Sequence, residues 1–283
     1  MDMRFTKMHG LGNDFLLLDA RGQESFDWAA AARRWCQRRF GVGGDGLLLL
    51  LDSDTCDWRM RVINADGSEP EMCGNGIRCF AKYLHDEGLQ NGATCSIETL
   101  AGPIVPRLTG PADGATARVA VDMGAPRLAP ADIPFLADAG ATQVVGAYLQ
   151  VDDDPFSITC VSMGNPHCVL FVDNVEQMEP QWWGPMIERH ERFPRRTNVE
   201  FVTVNRRDEL TMRVWERGAG RTLACGTGAC AALVAGVLNG LTERDATVHL
   251  EGGDLRITWR PEDDHVIMEG PATTVCRGEL VLP

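Results

Sequence analysis

A chain of 283 residues, 44% hydrophobic and 24% charged, carries enough apolar material for about two packed domains. Its formal net charge of −13 argues against nucleic acid or an anionic membrane as a partner and otherwise reads as ordinary solubility. The most apolar run, residues 229–238, falls short of the roughly 20 residues a bilayer span needs. No export signal is read in Met1-Asp2-Met3-Arg4-Phe5, so the ten cysteines are expected in a reducing cytoplasm rather than in structural disulfides.

Strands are expected at 3–8 and 15–20 around the turn Gly10-Leu11-Gly12-Asn13-Asp14, because glycine and asparagine tolerate tight-turn dihedrals. A helix is expected over 27–39. The glycine-rich loop at 41–46 (GVGGDG) precedes a strand at 47–51 and lacks the lysine and spacing of a phosphate-binding P-loop. A strand at 58–63 leads to Asn64. A helix over about 75–87 then sets Ile77, Phe80, Ala81 and Leu84 at helical spacing, with Gly88 to end it. Strands near 94–99, 104–108 and 116–123 follow, and the prolines between 103 and 134 mark a boundary region.

The second half repeats the order. Strands near 156–163 and 168–173 bracket Gly164-Asn165-Pro166-His167, and a helix over 180–190, strands at 199–205 and 210–215 and a helix over about 227–238 follow. That last helix is apolar all round and must be enclosed, so a sheet wrapped around it is the simplest arrangement. Residues 119–126 (VAVDMGAP) resemble 266–271 (VIMEGP), suggesting that each half closes with a similar strand and turn. The expected class is α+β, two such units with a cleft between them.

Residues 60–79 (MRVINADGSEPEMCGNGIRC) and 212–231 (MRVWERGAGRTLACGTGACA) align without a gap, pairing Cys73-Gly74 with Cys225-Gly226 and Gly76 with Gly228 at a constant offset (225 − 73 = 152). The same offset pairs Gly12-Asn13 with Gly164-Asn165, Gly46 with Asn198 and Asn64 with Glu216, the signature of an internal duplication. Each copy reads as a strand, a polar loop and a Cys-Gly-x-Gly that opens a helix. Free N–H groups and the dipole at a helix start stabilise anions and lower the pKa of a nearby thiol. If a pseudo-twofold brings the copies face to face, Cys73 and Cys225 flank one anion-binding pocket as a two-base proton-transfer site.

Asn13, Asn64, Asn165 and Asn198, joined by Glu216 and Arg217, look like a hydrogen-bonding shell for a polar ligand, with Arg217 as a carboxylate clamp. His167 could orient or relay protons near a thiol. Cys79 and Cys230 fall inside the helices and read as packing residues. The chain has no C-x-x-C pair, and Cys73/Cys79 and Cys225/Cys230 are poorly spaced for zinc, so no metal is expected. Pyridoxal chemistry needs a Schiff-base lysine, and only Lys7 and Lys82 are present, so no cofactor is expected either. The competing class is a thiol redox sensor in which Cys73 and Cys225 form a regulatory disulfide.

The strings FTKMHGLGNDF (5–15), GVGGDG (41–46), NADGSEPEMCGNGIRCFA (64–81), GNPHCV (164–169), NVEFV (198–202) and ERGAGRTLACGTGACAA (216–232) together resemble the diaminopimelate epimerase family. The resemblance implies two pseudo-symmetric domains, each a mostly antiparallel sheet rolled around a central helix. These would be 1–122, joined by a final strand at 273–283, and 123–272. It implies cofactor-independent interconversion of LL- and meso-diaminopimelate, for lysine and peptidoglycan precursors, by a cytoplasmic homodimer. Cys73 and Cys225 would be the acid–base pair. Gly74, Asn75, Gly226 and Thr227 would bind the carboxylate at the reacting centre. Asn13, Asn64, Asn165, Asn198, Glu216 and Arg217 would hold the rest of the substrate, with His167 supporting the thiols. Proline and hydroxyproline racemases share the paired cysteines and are the nearest alternative. The chain departs from the pattern at Gly46, where some relatives carry glutamine, and at Cys276, where an aromatic residue is common.

Overall fold

The computed structural model describes residues 3–23, 25–90, 92–112 and 114–280. The chain divides into two compact units, Met1–Asp122 with Glu269–Pro283, and Met123–Met268.

The first unit opens with the hairpin of β1 (Met3–Gly10) and β2 (Asn13–Asp19). Its two-residue turn puts Leu11 and Gly12 both at positive φ, 57° and 84°, the geometry whose twist matches the flanking strands. Helix α1 (Trp28–Trp35) starts where the Asp27 carboxylate accepts the Ala30 N–H. It stops four residues short of the expected 39. The Trp35 carbonyl takes the N–H groups of both Val42 and Gly43, which folds the glycine-rich loop back over the helix end. Strands β3 (Gly46–Leu51) and β4 (Trp58–Asn64) lead to α2 (Gly74–Asp86), followed by β5 (Ile97–Thr99), β6 (Gly102–Ile104), β7 (Arg107–Leu108) and β8 (Thr116–Asp122). These short strands replace the longer ones expected at 94–99 and 104–108; Pro103 and Pro106 have no N–H to extend a ladder. Strand β3 is buried along its whole length because both its faces are covered. Leu47, Leu49 and Leu51 join the α1 cluster with Trp28 and Trp35, while Leu48 meets the start of α2.

The second unit holds β9 (Ala147–Val151), β10 (Asp154–Ser162), β11 (Pro166–Phe171), α3 (Pro180–Glu188), β12 (Asn198–Arg206), β13 (Glu209–Glu216) and β14 (Gly220–Thr222), then α4 (Gly226–Leu238), β15 (Asp245–Leu250) and β16 (Gly253–Trp259). Helix α4 is buried continuously from Gly228 to Gly236 and touches β10 to β13, β15 and β16, so the enclosure expected from its apolar surface is met by strands. Helix α3 covers the other face of β12 and β13, where Ile187 packs with Val199 and Phe201.

Strand β17 (Val266–Leu280) corrects one expectation. No turn follows residue 271; the strand runs on and pairs antiparallel with β1 from Thr273↔His9 to Leu280↔Met3. It gains ladder hydrogen bonds that a turn at Gly270-Pro271 would forgo.

Both units share one scheme, an antiparallel hairpin joined in parallel to a second hairpin: β1–β2 to β3–β4, and β10–β11 to β12–β13. The 152-residue offset survives in the register. Phe15↔Gly46 becomes His167↔Asn198, and Leu47↔Ile63 becomes Val199↔Trp215. The hairpin ends differ: Gly10↔Asn13 closes a two-residue loop and Ser162↔Pro166 a three-residue one, while Leu51↔Arg59 closes a long loop and Arg206↔Glu209 a two-residue one after a register shift.

Candidate active site

Each cysteine of the duplicated motif is the N-cap of its helix. Cys73 (φ −137°, ψ 113°) precedes α2 and Cys225 (φ −121°, ψ 110°) precedes α4. In both, the sulfur accepts the N–H of the residue three positions on, Gly76 or Gly228, at 3.4 Å. The glycines let each helix start pack closely on a strand. A Cβ on Gly76 would lie 3.0 Å from Leu48, and one on Gly228 would lie 2.8 Å from Glu200, so the helix starts sit directly on strands β3 and β12.

Around Cys73 the partners are amides. Its thiol donates to Asn13 Oδ1 (3.7 Å), which also accepts from Asn75 Nδ2 (3.2 Å), and Asn13 Nδ2 donates to Asp45 (2.8 Å). Arg78, fully buried one turn into α2, donates to Asn75 Oδ1, to the Gly74 carbonyl and to the Pro271 carbonyl of β17. It thereby ties the helix start to the closing strand.

Around Cys225 the structure brings together Thr227, Asn165 and His167. Cys225 Sγ lies 3.5 Å from Thr227 Oγ1, which accepts from Asn165 Nδ2 (3.2 Å), and Asn165 Oδ1 meets His167 Nε2 (3.0 Å). His167 Nδ1 in turn meets Glu200 Oε1 at 2.7 Å. The thiol of Cys225 does not follow the lowering expected of a helix start. Burial pushes its pKa well above the usual thiol value, and the Glu216 carboxylate pushes the same way against the Thr227 hydroxyl and the Gly228 N–H. Burial thus favours the protonated form of the Cys225 thiol. Cys79, buried inside α2, is pushed up to about 12 by burial, as befits a packing residue.

The other expected site residues have local partners. Asn64, at the end of β4, donates to Ser68 Oγ. Asn198 is buried, with Nδ2 on the Pro166 carbonyl and Oδ1 on the Arg217 N–H, so it staples the start of β11, which carries His167, to the loop that carries Arg217. Glu216 accepts from Thr222, and the exposed Arg217 reaches the Arg195 carbonyl. Buried Glu188 supports this loop by accepting from Trp215 Nε1 and the Gly218 N–H. Gly46 stands opposite Asn64, and a Cβ there would lie 2.6 Å from the Ile63 carbonyl oxygen, so a side chain at this position requires the backbone to shift. Cys276 is exposed on β17 opposite Lys7.

The diaminopimelate epimerase family model matches residues 5–129 and 159–275. The chain is 55% identical over 282 residues to a diaminopimelate epimerase of Desulfitobacterium hafniense, covering 99% of this chain and 98% of the relative. The chain belongs to the diaminopimelate epimerase family. A second relative so named, from Moorella thermoacetica, is 55% identical over 281 residues, covering 99% of this chain and all of its own. Among solved structures, a phenazine biosynthesis protein of the PhzF family from Bacillus anthracis matches with a TM-score of 0.72 at 19% identity over the full length of both chains. A hydroxyproline epimerase from Agrobacterium vitis matches at 0.68 and 13% identity, covering 99% of this chain and 91% of its own. At such identities these two share the fold, the α+β architecture expected of the family. Like the rest of the family, the chain is an isomerase.

Glu200, Arg78 and Asp45 are the residues that sequence reasoning missed. Each was present in a quoted motif. The available signal was a charge set inside an otherwise apolar run, as Glu200 is in Asn198-Val199-Glu200-Phe201-Val202.

Proposed function

We propose that this chain interconverts LL- and meso-diaminopimelate by moving one α-proton between two cysteines. The thiolate of one removes the proton, and the thiol of the other delivers a proton to the opposite face, the roles exchanging with direction. The observation that carries the reading is that two cysteines, in one register position of a duplicated fold, each cap a helix whose N–H groups stay directed at the sulfur. Those N–H groups suit the substrate α-carboxylate as well, which gains negative charge as the α-carbon loses its proton. Gly74, Asn75, Gly226 and Thr227 supply that binding in the proposal. Asn13, Asn64, Asn165, Asn198, Glu216 and Arg217 hold the rest of the substrate, including its distal end, and His167 supports the thiols, reaching Cys225 through Asn165 and Thr227.

Working thiols require a reducing compartment, which supports a cytoplasmic location; the homodimer implied by the resemblance is part of the same proposal. A substrate panel tests the reading. LL-diaminopimelate should be epimerised without added cofactor or metal, and L-proline and trans-4-hydroxy-L-proline should turn over at least about 10³-fold more slowly, because they leave the distal polar groups without partners. Comparable turnover of proline would move the chain to the racemase alternative.

A further inference from the structure

The two halves differ most beneath their cysteines. The duplication places Phe15 where the second half has His167, and Leu48 where it has Glu200. The fold thus needs no polar group at either position, since the first unit builds the same strands and helix start with a phenylalanine and a leucine. Yet Glu200 and His167 are both fully buried, and they hydrogen bond only on one side of the carboxyl: Glu200 Oε2 makes no hydrogen bond to any described residue. A carboxylate buried with one oxygen unpartnered carries a large desolvation cost, whereas a carboxylic acid in the same place leaves only a neutral carbonyl oxygen unmatched.

The direction of each bond follows from its acceptor. Asn165 presents Oδ1 to His167 Nε2, so that nitrogen carries a hydrogen. Asn165 Nδ2 then donates to Thr227 Oγ1, which leaves the Thr227 hydroxyl hydrogen for Cys225 Sγ. With Nε2 carrying a hydrogen and the unpartnered Oε2 favouring the neutral acid at Glu200, Nδ1 is left as the acceptor and the donor facing it is the Glu200 O–H. We infer that Glu200 is a protonated positioning residue: its O–H fixes the His167 tautomer and starts a one-way chain of donors through Asn165 and Thr227 that ends on Cys225 Sγ. This rests on the assignment of Cys225 as one of the two proton-transfer groups. When Cys225 gives its proton to the α-carbon, the chain already points its last hydrogen at the sulfur that becomes negative, so no reorientation is needed. Burial also holds the Glu200 carboxyl above the ordinary carboxylate range, in keeping with a neutral acid. The titratable groups around this chain are His167 and Cys168 on β11, Glu216 on β13 and Cys225 at the start of α4.

The test measures the pH dependence of Cys225 alkylation by iodoacetamide, read on the Cys225 peptide by mass spectrometry, beside kcat and KM for LL-diaminopimelate. In Glu200→Ala the histidine loses its tautomer constraint, and Cys225 alkylation at neutral pH should slow about tenfold, its midpoint moving up by about one pH unit. The value of kcat should fall with KM held. Glu200→Gln keeps an N–H for Nδ1 and should restore both readouts to within about threefold of the parent. Thr227→Val cuts the chain at its last link and should reproduce the alkylation shift, which keeps the test decisive if Glu200→Ala does not fold. Faster alkylation in Glu200→Ala would mean an ionised carboxylate opposing the thiolate and would overturn the inference. Equal loss in Glu200→Gln and Glu200→Ala, or no alkylation shift in Thr227→Val, would overturn it too. An alkylation shift with unchanged kcat would uphold the chain and remove Cys225 from the proposed proton transfer.

Discussion

Replacing either Cys73 or Cys225 by alanine should lower epimerisation by about 10³-fold or more, since each substitution removes one of two groups that must act in the same turnover. The more informative result lies in hydrogen exchange. In each variant the surviving thiol can still remove an α-hydrogen and return one to the same face, so slow exchange with solvent should persist for one stereoisomer only. The two variants should have opposite preferences, one exchanging the LL form and the other the meso form. Normal turnover in either variant, or exchange of both stereoisomers in the same variant, would contradict a division of labour between the two sulfurs. The redox-sensor reading makes a different forecast, since its two alanine variants would keep their catalysis and lose only the response to oxidant.

Arg78→Met should have the largest effect on stability of any single change near the cysteines. The guanidinium is fully buried and holds the Asn75 side chain, the Gly74 carbonyl and the Pro271 carbonyl. Hydrogen bonds from a charged donor contribute about 1.5–3 kcal/mol each, and acceptors left buried without a donor add desolvation costs of similar size. The contributions are not additive, so a loss of roughly 3 kcal/mol or more is the expected total. A urea titration reads it directly. Activity at a temperature where the variant stays folded should also fall, because the Asn75 amide that shares Asn13 Oδ1 with Cys73 loses its anchor. A loss under about 1 kcal/mol would show that the helix start keeps its place without the arginine.

The contrast between Arg78 and the cysteines shows what could be read before the fold was known. Cys73 and Cys225 were legible because a gapless repeat puts both at one position, and Gly-x-Gly after each marks a helix start that must sit close to a strand. The enclosure of α4 was legible because a helix with no polar face has only one stable surrounding. Arg78 and Glu200 were not, since a lone charge in an apolar run reads as a surface residue until the fold gives Arg78 its buried carbonyl partners and strand pairing places Glu200 beneath a helix. For Glu200 the decisive comparison is with Leu48, which the 152-residue offset pairs with it and the shared register of β3 and β12 places beneath the same helix start. The Asn198 staple depends on the start of β11 meeting the loop after β13, which spacing alone does not encode. The early end of α1 and the uninterrupted β17 were likewise decided by long-range partners, the Trp35 carbonyl for one and strand β1 for the other. The expected turn after residue 271 rested on local similarity to 119–126, and the ladder with β1 overrode it.

The claim beneath the whole account is that proton removal and proton delivery belong to different sulfur atoms. Epimerisation of LL-diaminopimelate begun in D2O and stopped at low conversion tests it most directly, by mass analysis of the separated isomers. The meso product should carry solvent deuterium at the inverted carbon while the remaining LL isomer keeps its protium. Product formed with its original hydrogen retained would mean that a single base carries the proton from one face to the other, and the two-thiol mechanism would be wrong.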